Sequence, residues 1–343
     1  QTYRPSAYNK DLKWETTKTL NLGLDFTLFN DRINGSFEIY KKKTVDLINY
    51  VNVAAGTNLS NFIYANVGEM ENNGVEFTLN TRPVVTKDLA WNLGVNLGYN
   101  KSEITKLLLS DVDGYVGIMT GGISGGVGNT IQNHNVGYSP YAFFVYQQVY
   151  DADGNPIEGL YVDRSGNGGS VSSSLDNKYH YKKPDPDVTI GINSSLRYKQ
   201  WDASFSGRLY LGNYVYNNVN SDRALYSSIY NQSGFLNNVP TSIYDTKFFS
   251  TQYFSDYYVE NASFFRMDNI SVGYNFEKLF GSKLDGRVSF TCQNAFVITN
   301  YSGLDPEVAG GIDNNIYPKA RTFVLGLNLN LRSEEHTSEL QSL

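Results

Sequence analysis

The runs ISVGYNF (270–276), VSFTC (288–292) and FVLGLNLNL (323–331) decide the fold. Ile270, Val272, Tyr274 and Phe276 alternate with Ser271, Gly273 and Asn275, and Val288, Phe290 and Cys292 alternate with Ser289 and Thr291. Phe323, Leu325, Leu327, Leu329 and Leu331 alternate with Val324, Gly326, Asn328 and Asn330. Successive side chains of a strand point to opposite faces, so each run has one apolar face and one small or polar face. A soluble sandwich also alternates, but its polar faces are rich in Lys and Glu and its strands usually run about 5 to 6 residues. These runs approach the roughly 9 to 11 residues that a tilted strand needs to cross a bilayer. Their polar faces are Asn, Ser, Gly and Thr, which suit the inside of a barrel.

The same period recurs upstream. Leu20 to Leu28 and Ile33 to Ile39 form a hairpin about Asn30 and Asp31. Val75 to Leu79 and Leu89 to Tyr99 form a second, and Val188 to Tyr198 with Trp201 to Leu211 a third. Asp25 and Glu38 fall on the polar parity, where a charge is cheap; on the lipid face it costs roughly 2 to 4 kcal/mol at the midplane. Nine strands are expected. Short turns join each hairpin, while polar stretches at 41–73, 101–187, 212–261 and 299–320 separate them, with the Lys41 to Lys43 triplet as a solvated or headgroup-level patch. The segment 141–163 reads as an extra hairpin inside one of these loops. In bacterial barrels the long loops are extracellular and the short turns periplasmic.

Composition agrees and excludes other classes. Aromatics are 14% of the 343 residues, with 27 Tyr and 19 Phe, as aromatic girdles and ligand-facing loops both require. No run approaches 18 uninterrupted apolar residues, so no transmembrane helix is expected. The formal charge of −6 is scattered, without a basic stripe, which excludes nucleic acid as a partner. A single cysteine, Cys292, rules out an internal disulfide and lies on the apolar parity. GGISGGVG (121–128) lacks the strand, helix and Lys of a phosphate loop and reads as a flexible loop. His134 and His180 fall in long loops without hydrolytic spacing, so no catalytic site is expected.

The motifs NASFFRMDNISVGY (261–274), QNAFVITNYSGLDPE (293–307), Gly311 to Asp313, Tyr317 with Pro318, and Arg321 to Phe323, in that order, resemble the C-terminal end of the SusC/RagA family. LKWETT (12–17) resembles the same family's lead-in to a strand pair. The resemblance implies the C-terminal part of an all-β, antiparallel transmembrane β-barrel of the outer membrane, with long extracellular loops. It also implies TonB-dependent import of an oligosaccharide or peptide, a plug inside the barrel, a TonB complex as energy source, and a SusD-like surface lipoprotein as cap. Signal peptide, TonB box and plug would precede Gln1, so the chain reads as a fragment with residues 1–331 in the barrel. RSEEHTSELQSL (332–343) breaks the alternation and resembles a translated sequencing adapter, a non-native tail. Removing its one Arg and three Glu takes the formal charge from −6 to −4.

Trp14, Arg266, Asp268, Tyr301, Gly303, Asp305, Pro306 and Glu307 are the family's recognisable positions and read as rim architecture. Trp14 reads as an interfacial anchor. The loop aromatics Tyr210, Tyr214, Tyr216, Tyr226 and Tyr230, interleaved with Asn and Asp, have the chemistry to stack on a glycan and serve equally in a girdle. Asp163, Ser165, Asn167 and Gly168 resemble the first half of a Ca2+ loop, but Ser174 stands at the twelfth position and Asp176 comes two places late. A plain Gly/Asn turn is the expected reading there. Two alternatives to active import stay open: a passive porin-like barrel and a soluble β-sandwich adhesin.

Overall fold

A computed structural model describes residues 7–53, 56, 58–107, 115–164, 166, 170–171, 175–230, 233–278 and 284–331. Among them, nine long strands form one antiparallel sheet in chain order, each hydrogen-bonded to the next. They are β1 (Thr16–Leu28), β2 (Ile33–Asn52), β3 (Phe62–Val85), β4 (Leu89–Lys106), β5 (Val188–Tyr198), β6 (Trp201–Leu211), β7 (Phe264–Lys278), β8 (Leu284–Thr299) and β9 (Thr322–Leu331). This is the up-and-down order of a barrel wall, left open in this chain at β1 and β9.

The alternation fixes which face meets lipid. Leu20, Leu22, Leu24, Phe323, Leu325 and Leu327 are all exposed on one side of the wall. A water-soluble protein rarely exposes a contiguous apolar patch beyond a few hundred Å2, so this band is solvated by lipid tails. At the short-turn end Trp201 packs on Tyr274 with ring centroids 4.9 Å apart, opposite Tyr198. Trp91 donates Nε1–H to Ser194 Oγ at 3.0 Å in the same region. This is one aromatic girdle, and it marks the periplasmic interface. The tight turn after β1 holds Phe29, Asn30 and Asp31 at φ of 55°, 54° and 62°, a left-handed conformation that Asn and Asp tolerate better than most residues.

Two expectations need correction. Residues 41–73 are not a polar connection: β2 and β3 stay paired to Asn52 and Phe62, well above the apolar band. Lys41 and Lys43 bond Glu71 and Glu69 across this ladder, at 2.9 and 2.8 Å. The pairing is invisible in hydropathy because a strand that rises into water no longer needs an apolar face. The register also shifts around Leu47, where Asp46 takes φ 62°, so the parity itself slips.

The long loops, secondly, are not loose. Four short strands, Ile118–Gly122, Thr130–His134, Ala142–Tyr146 and Lys178–His180, make one sheet, and Tyr214–Asn217 pairs with Val259–Asn261 and, in parallel, with Ile312–Asp313. Gln148–Tyr150 pairs with Pro156–Val162, so 141–163 is an excursion inside a loop, although Ala142–Tyr146 turns away to pair elsewhere. Ile123, Ile131, Phe143, Val145, Tyr216, Leu225, Phe248, Tyr258 and Val259 give this cap a buried core. The glycine run is bonded in as well. Gly125 N–H donates to Asn218 Oδ1 at 2.8 Å and Ser124 N–H to Asn314 Oδ1 at 2.9 Å.

Candidate functional site

The rim of the wall and the underside of the cap meet around Arg266. Residues 270–276 hold apolar side chains at even positions, so unbroken parity would turn Arg266 into lipid with Ile270. It does not, because the β7 register shifts against both β6 and β8 around Asp268, with Asn294 of β8 at φ 49°. Beyond this bulge Phe265 faces outward against Phe296, centroids 6.1 Å apart, and Arg266 faces inward.

Arg266 is only 2% exposed. Its Nη1 donates to Asn294 Oδ1 at 2.7 Å and its Nη2 to Asp305 Oδ1 at 2.5 Å. Arg208 Nη2 donates to Glu307 Oε2 at 2.9 Å and reaches Asp268 Oδ1 at 3.3 Å, and the Lys319 ammonium also bonds Glu307. Three cations and three carboxylates therefore compensate one another where the 300–320 loop meets the wall. The Asp305–Pro306 turn is held by Glu307 N–H, which donates to Asp305 Oδ1 at 2.9 Å. Tyr301 is buried and donates to Asp313 Oδ2 at 2.8 Å. Burial, with Asp313 beside it, pushes this phenol far above its ordinary pKa. Gly303 lies so close to the Tyr301 ring that a Cβ would strike it. Trp14 stands just before β1 with 90% of its surface exposed.

The five loop tyrosines do not converge. Tyr216 is fully buried, its hydroxyl 2.6 Å from the Tyr253 carbonyl oxygen; its parity put it into the cap core, and it offers no ring face to a ligand. Tyr226 stacks on Phe249 with centroids 5.5 Å apart, Tyr210 packs on Phe264 at 5.0 Å, and Tyr230 is exposed. Only Tyr214 of the five lines a cavity of about 340 Å3 beneath the cap.

That cavity is bounded also by Tyr138, His180, Tyr181 and Lys182, none of which the sequence reading selected. The Tyr138 ring stacks on His180 at 3.7 Å, and Lys182 Nζ lies 5.3 and 5.0 Å from the Tyr181 and Tyr214 ring centres. The signal was present in YHYKK (179–183), aromatic and basic residues in strict sequence; distance from Tyr138 and Tyr214 hid it. A second cavity of about 300 Å3 lies below, on the lumen face of β3, β4 and β5, against Tyr40, Glu76, Asn96, Asn100 and Thr189. Of the candidate calcium residues, Asp163 is half-buried and Asp176 exposed, while Ser165 and Asn167 lie outside the described residues, as does the 332–343 tail. Among the described residues no three His, Cys, Asp or Glu side chains converge as a metal site.

Burial lowers the His180 pKa to about 4 and depresses His134 too, so both rings are neutral near pH 7. Their contribution to cap stability is complete above the ordinary histidine value of about 6.5 and is lost as pH falls through about 4. Asp256 acts oppositely, since burial raises its pKa and protonation eases its desolvation. We expect near-UV circular dichroism of the full-length protein to hold level above about pH 6.5 and to decay below it. His180→Phe, which keeps the stack, should shrink that decay; an unchanged decay would assign it to other groups.

A lipid-banded antiparallel wall with a periplasmic aromatic girdle, a polar lumen and loops folded into an outer cap defines an outer-membrane β-barrel. Residues 1–294 match the family model described as TonB dependent receptor-like, beta-barrel, and the chain belongs to that family, in its SusC/RagA type. It is 45% identical to the TonB-dependent receptor SusC of Bacteroides thetaiotaomicron over 96% of this chain and 33% of that protein. To the TonB-dependent receptor P3 of Formosa agariphila it is 31% identical, over 94% of this chain and 34% of that one. The structure of the RagAB peptide transporter superposes with a TM-score of 0.74 at 26% identity, covering 95% of this chain and 36% of that chain. The chain thus spans about a third of the length of the relatives it matches.

Proposed function

We propose that this chain is the wall and outer cap of a TonB-dependent importer that takes up an oligosaccharide, working with a SusD-like surface lipoprotein and energised through a TonB complex. The observation that carries the cargo assignment is the cavity beneath the cap. Tyr138, Tyr181 and Tyr214 offer ring faces on which sugar C–H surfaces stack, and Lys182 adds a donor for hydroxyl oxygens. His180 is neutral there, so ring planes and hydrogen bonds outweigh charge. Membership of the family supports active import, and the SusC likeness supports the lipoprotein partner. A peptide cargo is the second reading, favoured by the likeness to a structure titled as a peptide transporter.

The test uses the full-length protein with its lipoprotein, titrated with a neutral oligosaccharide pool and a short-peptide pool. Tyr138→Ala and Tyr214→Ala should each weaken oligosaccharide binding about two- to twelvefold, the worth of one aromatic contact at roughly 0.5–1.5 kcal/mol. Loss of peptide binding instead would replace the cargo; no loss in either pool sinks the site. Uptake in cells that survives collapse of the proton-motive force would leave a passive barrel.

A further inference from the structure

The two cavities share one residue, Asp187, which lines both the space beneath the cap and the space on the lumen wall. Its main chain is fixed to the wall: Asp187 N–H donates to the Leu211 carbonyl at 2.8 Å, and its own carbonyl accepts from Asn100 N–H at 3.2 Å. Its carboxylate is held from the cap side by Lys183 Nζ at 2.8 Å. Gly212, at φ 83°, lies where a Cβ would run into that carboxylate. The backbone is therefore shaped to leave the Asp187 side chain at the join.

Below the join the wall is furrowed. Gly98 of β4 and Gly191 of β5 lie on the lumen parity and line the lower cavity, and Gly98 pairs with Thr189 and Gly191 with Asn96. These positions project no side chain of their own, and the Thr189 hydroxyl and the Asn96 amide lean over them from the neighbouring strand. Asn96, Asn100 and Tyr40 border the gap, with Tyr40 Oη donating to Asn100 Oδ1 at 3.0 Å. The furrow thus has its own hydrogen-bonding edge and points from the Asp187 join toward the periplasmic end of β4 and β5.

We propose that the two cavities are successive stations of one passage, entered beneath the cap and leaving along the lumen face of β4 and β5, with the Lys183–Asp187 ion pair as its neck. This rests on the import reading and adds the route. With the Asp187 carboxylate half open to solvent, this ion pair can part and re-form readily, because pairs that reach solvent contribute little net stability.

The experiment places a thiol in the furrow of the full-length transporter, Asn96→Cys in a Cys292→Ser background, and follows its reaction in intact cells with a membrane-impermeant cationic methanethiosulfonate added outside. Lys182→Trp, which fills the upper cavity, should slow the reaction several-fold, while Tyr244→Trp, an exposed cap position outside both cavities, should leave it unchanged. Asp187→Ala should speed it, a gain that a poorly assembled barrel would not deliver selectively. A thiol at 96 that never reacts from outside overturns the passage. So does a rate indifferent to both Lys182→Trp and Asp187→Ala. If Tyr138→Ala still weakens cargo binding while these rates stay flat, the route fails and the import reading stands. If Tyr138→Ala has no effect on binding, the fault lies in the reading of the upper cavity.

Discussion

Arg266→Ala is expected to destabilise the rim by about 3–5 kcal/mol, the usual cost of removing one partner of a buried ion pair. The reason is not the attraction lost but the charge left behind. Asp305 is as buried as Arg266, and without the guanidinium its carboxylate keeps only the backbone N–H of Glu307 among these contacts. Asn294 Oδ1 loses its donor too. The first element to give way should be the 300–320 loop, whose hold on the wall runs through Asp305 and Glu307. That loop carries Ile312–Asp313, the parallel neighbour of Tyr214–Asn217, so release at the rim loosens the strand that presents Tyr214 to the cavity. Hydrogen exchange on the full-length protein should show 300–320 and 214–217 deprotected while β2 and β3 stay protected. Arg266→Met with Asp305→Leu, which removes both charges, should recover much of the loss. Wild-type protection in Arg266→Ala would mean that the cluster is ornamental.

The wall was legible in the sequence because lipid and lumen impose opposite demands on alternate residues, so the long alternation of Leu20 to Leu28 or Phe323 to Leu329 marks strands with one apolar and one polar face. Where that contrast stops, legibility stops. The outer halves of β2 and β3 stand in water on the outward side, and their Lys and Glu look like loop. Bulges are backbone events: Asp268 and Asn294 carry no composition signal, yet they decide that Arg266 points inward. The cap was hidden for a different reason. Its contacts join residues far apart in the chain, such as Ser124 with Asn314 and Gly125 with Asn218, and no local period records them. For the same cause Tyr216, chosen for its chemistry, proved to be core, while Tyr138 and His180, passed over, form the closest ring stack of the cavity.

Ile192→Arg should cost about 2–4 kcal/mol and Asn193→Arg, one residue on, far less. Ile192 lies opposite Val95, midway between the Trp91 girdle and Tyr99 along β4, so its side chain meets lipid near the midplane, where a guanidinium has neither water nor a partner. Asn193 lies opposite Gly94 on the lumen face, where an added Cβ on Gly94 would already touch the Asn193 amide. A longer side chain there extends into a polar, watered space. Both substitutions put arginine at adjacent positions of one strand, and the difference in β-propensity between the replaced Ile and Asn, within a scale of about 1 kcal/mol, is smaller than the effect of the solvent on each face. The comparison is read by urea unfolding of the full-length barrel in lipid vesicles. A wall whose parity ran the other way would reverse the order of the two variants, and a soluble sandwich, with water on its outer face, would take arginine at 192 with little loss.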